Sequence, residues 1–223
     1  MFAGHIGAAL AIGRAERRVN VGVLIVAALL LDALLWLFVL VGWESVSFPA
    51  DFAETHQPAF VFPYSHGLLT GIGWAALAGA ATFVGYPRLG RARLRGAMAV
   101  AAAVFSHWLL DALVHAPEMP VTAAGSMTVG LGLWNALPVA LAAEAAIVAV
   151  GLGLFVSGAS VTRARMRWLA AASVLMLVFT VFGMTVAPPP PSAQAMASTS
   201  LLAIIAVAAL ACWLGRRPRE SPA

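Results

Sequence analysis

The stretch Phe105-Ser106-His107-Trp108-Leu109-Leu110-Asp111-Ala112-Leu113-Val114-His115 decides how this chain is read. Three ionisable side chains recur at every fourth residue of an otherwise apolar run. On a helix, positions i, i+4 and i+8 form one slowly drifting stripe. Upstream, Gly96 to Val104 contains only Gly, Ala, Met and Val. The run 96–115 therefore reaches the ~20 residues that cross a bilayer core as a helix. Ionisable groups at that depth are costly and usually functional. The stripe of His107, Asp111 and His115 needs a partner, and a metal ion is the first candidate.

Outward from this helix, five more segments have the length and character of membrane spans: about 20–42, 64–86, 131–157, 167–187 and 197–214. Hydrophobic residues make up 62% of the chain and charged residues 10%, far from the roughly 25% charge of a soluble domain. All the basic residues are Arg, in four clusters between spans: 14, 17 and 18; 88, 91, 93 and 95; 163, 165 and 167; 216, 217 and 219. The intervening loops, 43–63, 116–130 and 188–196, have neither Arg nor Lys. The high pI is thus topology information, not a nucleic-acid-binding stripe. By the positive-inside rule both termini are cytoplasmic and those loops face outward. The fold expected is all-α: a polytopic helical bundle of about six transmembrane helices, forming one integral membrane domain over 1–223. Residues 1–155 carry the candidate site, and 156–223 supply two scaffold helices.

Residues 1–13 are apolar but too short to span, at ~1.5 Å per residue. Their charges follow the apolar stretch, unlike those of a signal peptide. They form either an interfacial helix or a re-entrant half-helix, which needs protein or a wet cavity around it. Loop 43–63 carries His56, expected to be solvated, and the run Pro188 to Pro191 is a stiff connector. Cys212, the single cysteine, excludes an internal disulfide and fits packing.

Helix rise gives the depth of the ionisable groups. Asp32 and His107 each lie ~18 Å into their spans, and Asp111 lies one turn further. His66 opens the second span from outside. A re-entrant first helix brings His5 ~13 Å deep. His5, Asp32, His66, His107 and Asp111 can thus converge, with His115 near the outer mouth. Glu144, on the fourth span near the kink-prone Pro138, orients a metal ligand from behind, carries a proton or is a structural partner. Ser65 and Ser106 each precede a His but, on a helix, would not face it. Leu30 to Leu34 also echoes Leu109 to Leu113, each centred on an Asp. Imidazole and carboxylate donors without thiolate suit a divalent ion, Zn first and Mn or Fe next. Such an ion lowers the pKa of a bound water toward ~7, and a spare His or carboxylate can move the proton.

Gly4-His5, Asp32, Tyr64-Ser65-His66 and Ser106-His107-Trp108-Leu109-Leu110-Asp111 together resemble the motif set of the bacterial membrane-bound, predicted metal-dependent hydrolases. The resemblance covers about residues 1–155. The segment Gly130 to Asn135 and the proline run look like a subgroup often described only as permeases or membrane proteins. Two departures stand out. The family's Pro-Asp-x-Asp context is here Leu31-Asp32-Ala33-Leu34, and its His-Arg-Gly-x-x-His-Ser element is Phe62 to Gly67, with one His. The resemblance implies a bacterial inner-membrane location, metal ligands among His5, Asp32, His66, His107 and Asp111, and His115 compensating for a lost ligand.

Three functions follow as expectations. The first is a metal-dependent hydrolase acting on an amphiphilic, lipid-like substrate, with His115 and Glu144 as proton-handling residues. The second is a proton- or cation-coupled permease using Asp32, Asp111 and Glu144. The third is a non-enzymatic membrane scaffold.

Overall fold

A computed structural model describes residues 1–122, 125, 127–158 and 162–215. The expected helical membrane bundle is what the chain forms. Five helices are each long and apolar enough to cross a bilayer, and a bent pair makes a sixth candidate span. α1 (Phe2–Ala15) comes first. α2 (Val21–Ala28) and α3 (Leu30–Val41) form the bent pair, meeting at 47° around Leu29. A single turn, α4 (Phe52–Thr55), follows in the connecting loop. The long helices are α5 (Leu68–Gly85), α6 (Arg93–Val114), α7 (Leu137–Val156), α8 (Arg163–Thr185) and α9 (Ala193–Leu214).

Local chemistry sets these boundaries. Asn20 Oδ1 accepts the Gly22 N–H at 2.8 Å and starts α2, as a cap oxygen does for an otherwise orphan N–H. Ser192 Oγ does the same for Ala195 at 3.1 Å at the start of α9. Gly42 ends α3 in the left-handed region, at φ 79°, where a residue without Cβ is at no disadvantage. Pro138 does not kink the fourth span; it sits in the first turn of α7, where its missing N–H has no helical acceptor to lose. The second span begins at Leu68 instead of 64, because residues 63–66 form a turn.

Successive spans alternate in direction, so every described arginine position falls at one end of the bundle. There Glu16, at the end of α1, lies 3.5 Å from Arg95 at the start of α6. Arg216, Arg217 and Arg219, expected at the same end, lie outside the described residues. The opposite end carries two small antiparallel sheets. β1 (Ser45–Ser47) pairs with β2 (Ala59–Val61), and β3 (Met119–Pro120) with β4 (Thr128–Val129).

α1 is inside the bundle, not on its surface. Ala3, His5, Ala9 and Leu10 are all 0% exposed. Its 14 residues extend about 21 Å, too short to span. Glycines let it sit so deep: a Cβ on Gly7 would stand 2.6 Å from the Ile147 carbonyl oxygen of α7, and Gly151 abuts the Gly7 carbonyl in turn. Such backbone-to-backbone packing is how membrane helices gain van der Waals contact. α8 is the peripheral helix, burying only Leu169 and Ser173 among its described residues.

Candidate metal centre

Three elements bring four ionisable side chains to one point. Asp32 stands in the first turn of α3, just past the break, where the positive end of the helix favours a carboxylate. His66 comes from the turn before α5, and His107 and Asp111 lie one turn apart on α6. Asp32, His66, His107 and Asp111 each present a donor atom within 4.8 Å of the other three. The two aspartates of the sequence echo thus meet in one cluster.

The tautomers are set from behind. Ser65 Oγ donates to Glu44 Oε2 at 2.7 Å, so toward His66 it accepts, and the 2.8 Å contact places a hydrogen on His66 Nδ1. His107 Nδ1 lies 2.6 Å from the Ala28 carbonyl oxygen, which can only accept. Ala28 is the last residue of α2, so the break in the span supplies that acceptor. With the Nδ1 hydrogens turned outward, each ring in its neutral form presents an Nε2 lone pair inward, and the two Nε2 atoms stand 3.1 Å apart. Metal-bound histidines are oriented by the same kind of outer hydrogen bond.

Inward lone pairs beside carboxylates suit a cation, and the distances bear on which kind. Asp111 Oδ2 lies 3.3 Å from His66 Nε2 and 3.0 Å from His107 Nε2. Asp32 Oδ1 lies 3.8 and 3.7 Å from the same two nitrogens. A proton can serve one pair of atoms but cannot bridge to Asp32 at those lengths. Four donors about 2.0–2.1 Å from a tetrahedral ion stand about 3.3–3.4 Å apart. The residues present therefore fit a divalent ion. Asp32 is the loosest member and the most exposed, at 19% of its side chain against 3% or less for the others. Three close donors with a fourth, looser one toward a cavity resemble an open site more than a closed structural one.

The other candidates surround this group. His5 stacks on His107, centroids 3.7 Å apart and planes within 10°. An imidazole lone pair lies in its ring plane, so two stacked rings cannot both aim well at one ion. His5 Nε2 reaches instead to 3.2 Å from Asp111 Oδ1. Among the described residues neither His5 nitrogen has a hydrogen-bond partner. The Met1 amino nitrogen lies 3.3 Å from the same Oδ1. His115 Nδ1 meets Glu118 Oε1 at 2.7 Å, and Glu118 Oε2 accepts the Phe60 N–H at 3.2 Å. His115 Nε2 then lies 4.0 Å from Asp111 Oδ2. Glu144 Oε1 accepts the Gly4 N–H at 3.0 Å, pairing a first-turn donor of α1 that has no partner within the helix.

A cavity of about 410 Å³ opens over the cluster, and Asp32, His66, Asp111, His115 and Glu144 all reach its wall. His56, expected in solvent, is half-buried and lines it too. So do Phe179 and Met184 of α8 and Met196 and Ile204 of α9, so the helices read as scaffold also wall the cavity.

Glu44, Ser65 and Glu118 are the polar partners that sequence reasoning passed over. On a helix Ser65 would not face His66, but the turn at 63–66 lets its hydroxyl reach it. Glu44 is buried beneath that turn, where its Oε1 accepts the Tyr64 and Ser65 N–H groups at 2.8 Å each. Burial pushes its carboxyl above the ordinary value, against the pull of these hydrogen bonds. A Glu three residues after His115 was the one available signal for Glu118. Set against known protein families, curated proteins and solved structures, the chain matches none.

Proposed function

We propose that this protein is a membrane-embedded, metal-dependent hydrolase acting on an amphiphile. The observation that carries the reading is the pair of Nε2 lone pairs 3.1 Å apart, flanked by two carboxylates, with both Nδ1 hydrogens already committed elsewhere. His66, His107, Asp111 and the looser Asp32 would hold the ion, with Zn favoured over Mn or Fe by donors without thiolate. When bound, such an ion supplies a Lewis acid and makes hydroxide available near neutral pH. His115, held through Nδ1 by Glu118 and with its Nε2 4.0 Å from Asp111 Oδ2, would take and return a proton. Glu144 fixes the start of α1 and adds negative charge beside the site. The resemblance of the His5, Asp32, His66 and His107–Asp111 motifs to predicted membrane-bound hydrolases supports the same chemistry. The Arg-rich end faces the cytoplasm of a bacterial inner membrane under the positive-inside rule, which turns the cavity outward.

The test is product release from ester- and phosphoester-linked lipids by the purified chain, read by mass spectrometry. Activity should disappear with a chelator, return with Zn, Mn or Fe, and fall about 10²–10⁴-fold in His115→Ala with the metal retained. Turnover that ignores the chelator would contradict the proposal.

One observation favours a second reading, a cation-coupled permease. A half-helix and a broken span meeting at buried carboxylates are the parts from which transporters build ion sites. That reading expects ion-gradient-dependent flux in proteoliposomes and no chelator-sensitive cleavage.

A further inference from the structure

The cavity over the cluster has an acidic floor, an aromatic wall and an apolar seam leading away from it. From these we infer that its occupant is a lipid-like amphiphile whose head group bears an ammonium, with its tail lying between α8 and α9. The inference rests on the metal-site reading and adds the nature of the molecule that reaches it.

Charge disfavours a purely anionic head group. Asp32, Asp111 and Glu144 reach the cavity wall, and among its described lining residues there is no arginine; the chain contains no lysine. The described arginines lie at the other end of the bundle. With one divalent ion bound, the three carboxylates of Asp32, Asp111 and Glu144 more than balance it, and no positive charge is left over among the described lining side chains. Sites for phosphate or carboxylate head groups usually supply Arg or Lys, and an unpaired anion brought into an apolar cavity is strongly penalised.

The wall has the opposite preference. Trp36, Phe52, Phe60 and Trp134 line the cavity near its sheet-covered end. Phe60 bridges them, edge-on to Trp36 at 6.2 Å and 5.6 Å from His115, whose ring lies 4.3 Å from Trp134. Aromatic rings beside carboxylates are what a quaternary or primary ammonium seeks.

The seam suits a tail. Below the cavity, the same two helices enclose an apolar slot of about 170 Å³, where Met176, Val207 and Leu210 face Ile6 and Ile25. α8 buries only Leu169 and Ser173 among its described residues, which leaves most of its surface to the bilayer from which a tail would come. The slot and the cavity stack along α8 and α9, with the tail directed toward the Arg-rich end.

The experiment is native mass spectrometry of the full chain in nonionic detergent. Lysophosphatidylcholine, lysophosphatidic acid and a monoacylglycerol with one common acyl chain compete at equal concentration, and the metal content of the same sample is measured. The choline lipid should be retained about tenfold over the lysophosphatidic acid, with the monoacylglycerol between them. Trp36→Leu with Trp134→Ala should reduce that preference to within about threefold. Equal or stronger retention of the lysophosphatidic acid, or of the monoacylglycerol, overturns the inference. So does an unchanged preference in the double variant with an unchanged melting temperature. Metal present without head-group preference contradicts this inference alone; metal absent contradicts the site reading beneath it.

Discussion

At His66 and His107 the telling atoms are the Nδ1 nitrogens that face away from the cluster. A buried imidazole can present either nitrogen, and only the outer partner decides which one is left bare. For His66 that partner is Ser65, itself held by Glu44; for His107 it is the Ala28 carbonyl. Ser65→Ala and Glu44→Gln should each weaken metal binding about 10–100-fold, as loss of an outer-shell partner does. Competition against a chromophoric chelator measures this. Unchanged affinity in both would mean that the inward lone pair of His66 does not depend on them. The inward-facing residues were legible beforehand: His107 and Asp111 from their spacing, Asp32 and His66 from the depth of their spans. The outer partners were not. Glu44 lies 21 residues before Ser65, and nothing in a loop sequence says which carboxylate folds under which turn.

At the level of elements, two features bring the site together: the break at Leu29 and the burial of α1. The spans could be read from the lengths of apolar runs and the Arg clusters between them. The break could not, because the run around it has neither Pro nor Gly, the residues that usually mark a bend. Its consequence is local: a carbonyl for His107 on one side and a helix start for Asp32 on the other. Between an interfacial and an interior position for residues 1–13, the glycines offered a clue. Gly7 and Gly151 leave α1 and α7 backbone against backbone. Gly151→Ala puts a methyl group into the Gly7 carbonyl, and overpacking of this kind costs about 1–3 kcal/mol. Thermal unfolding in detergent should fall accordingly, while the same change at Gly153, which faces open space, should be nearly neutral. A silent Gly151→Ala would mean that α1 is not tightly seated on α7.

For the whole molecule, polarity along the membrane normal organises everything else. The described arginines occupy one end, and the acidic loops, the two small sheets and the cavity occupy the other. In a Cys212→Ala background, a cysteine at Asp51 should react with an impermeant maleimide in intact cells, and one at Arg91 only after lysis. The reverse pattern would put the cavity on the cytoplasmic side. The central claim is that this polarity frames one buried divalent ion held by Asp32, His66, His107 and Asp111. Elemental analysis of protein purified without chelator tests it most directly. About one equivalent of Zn, Mn or Fe is expected in the wild type, and less than about a tenth of an equivalent in folded His107→Ala and Asp111→Asn. No stoichiometric metal in the wild type, or the same content in the variants, would contradict it.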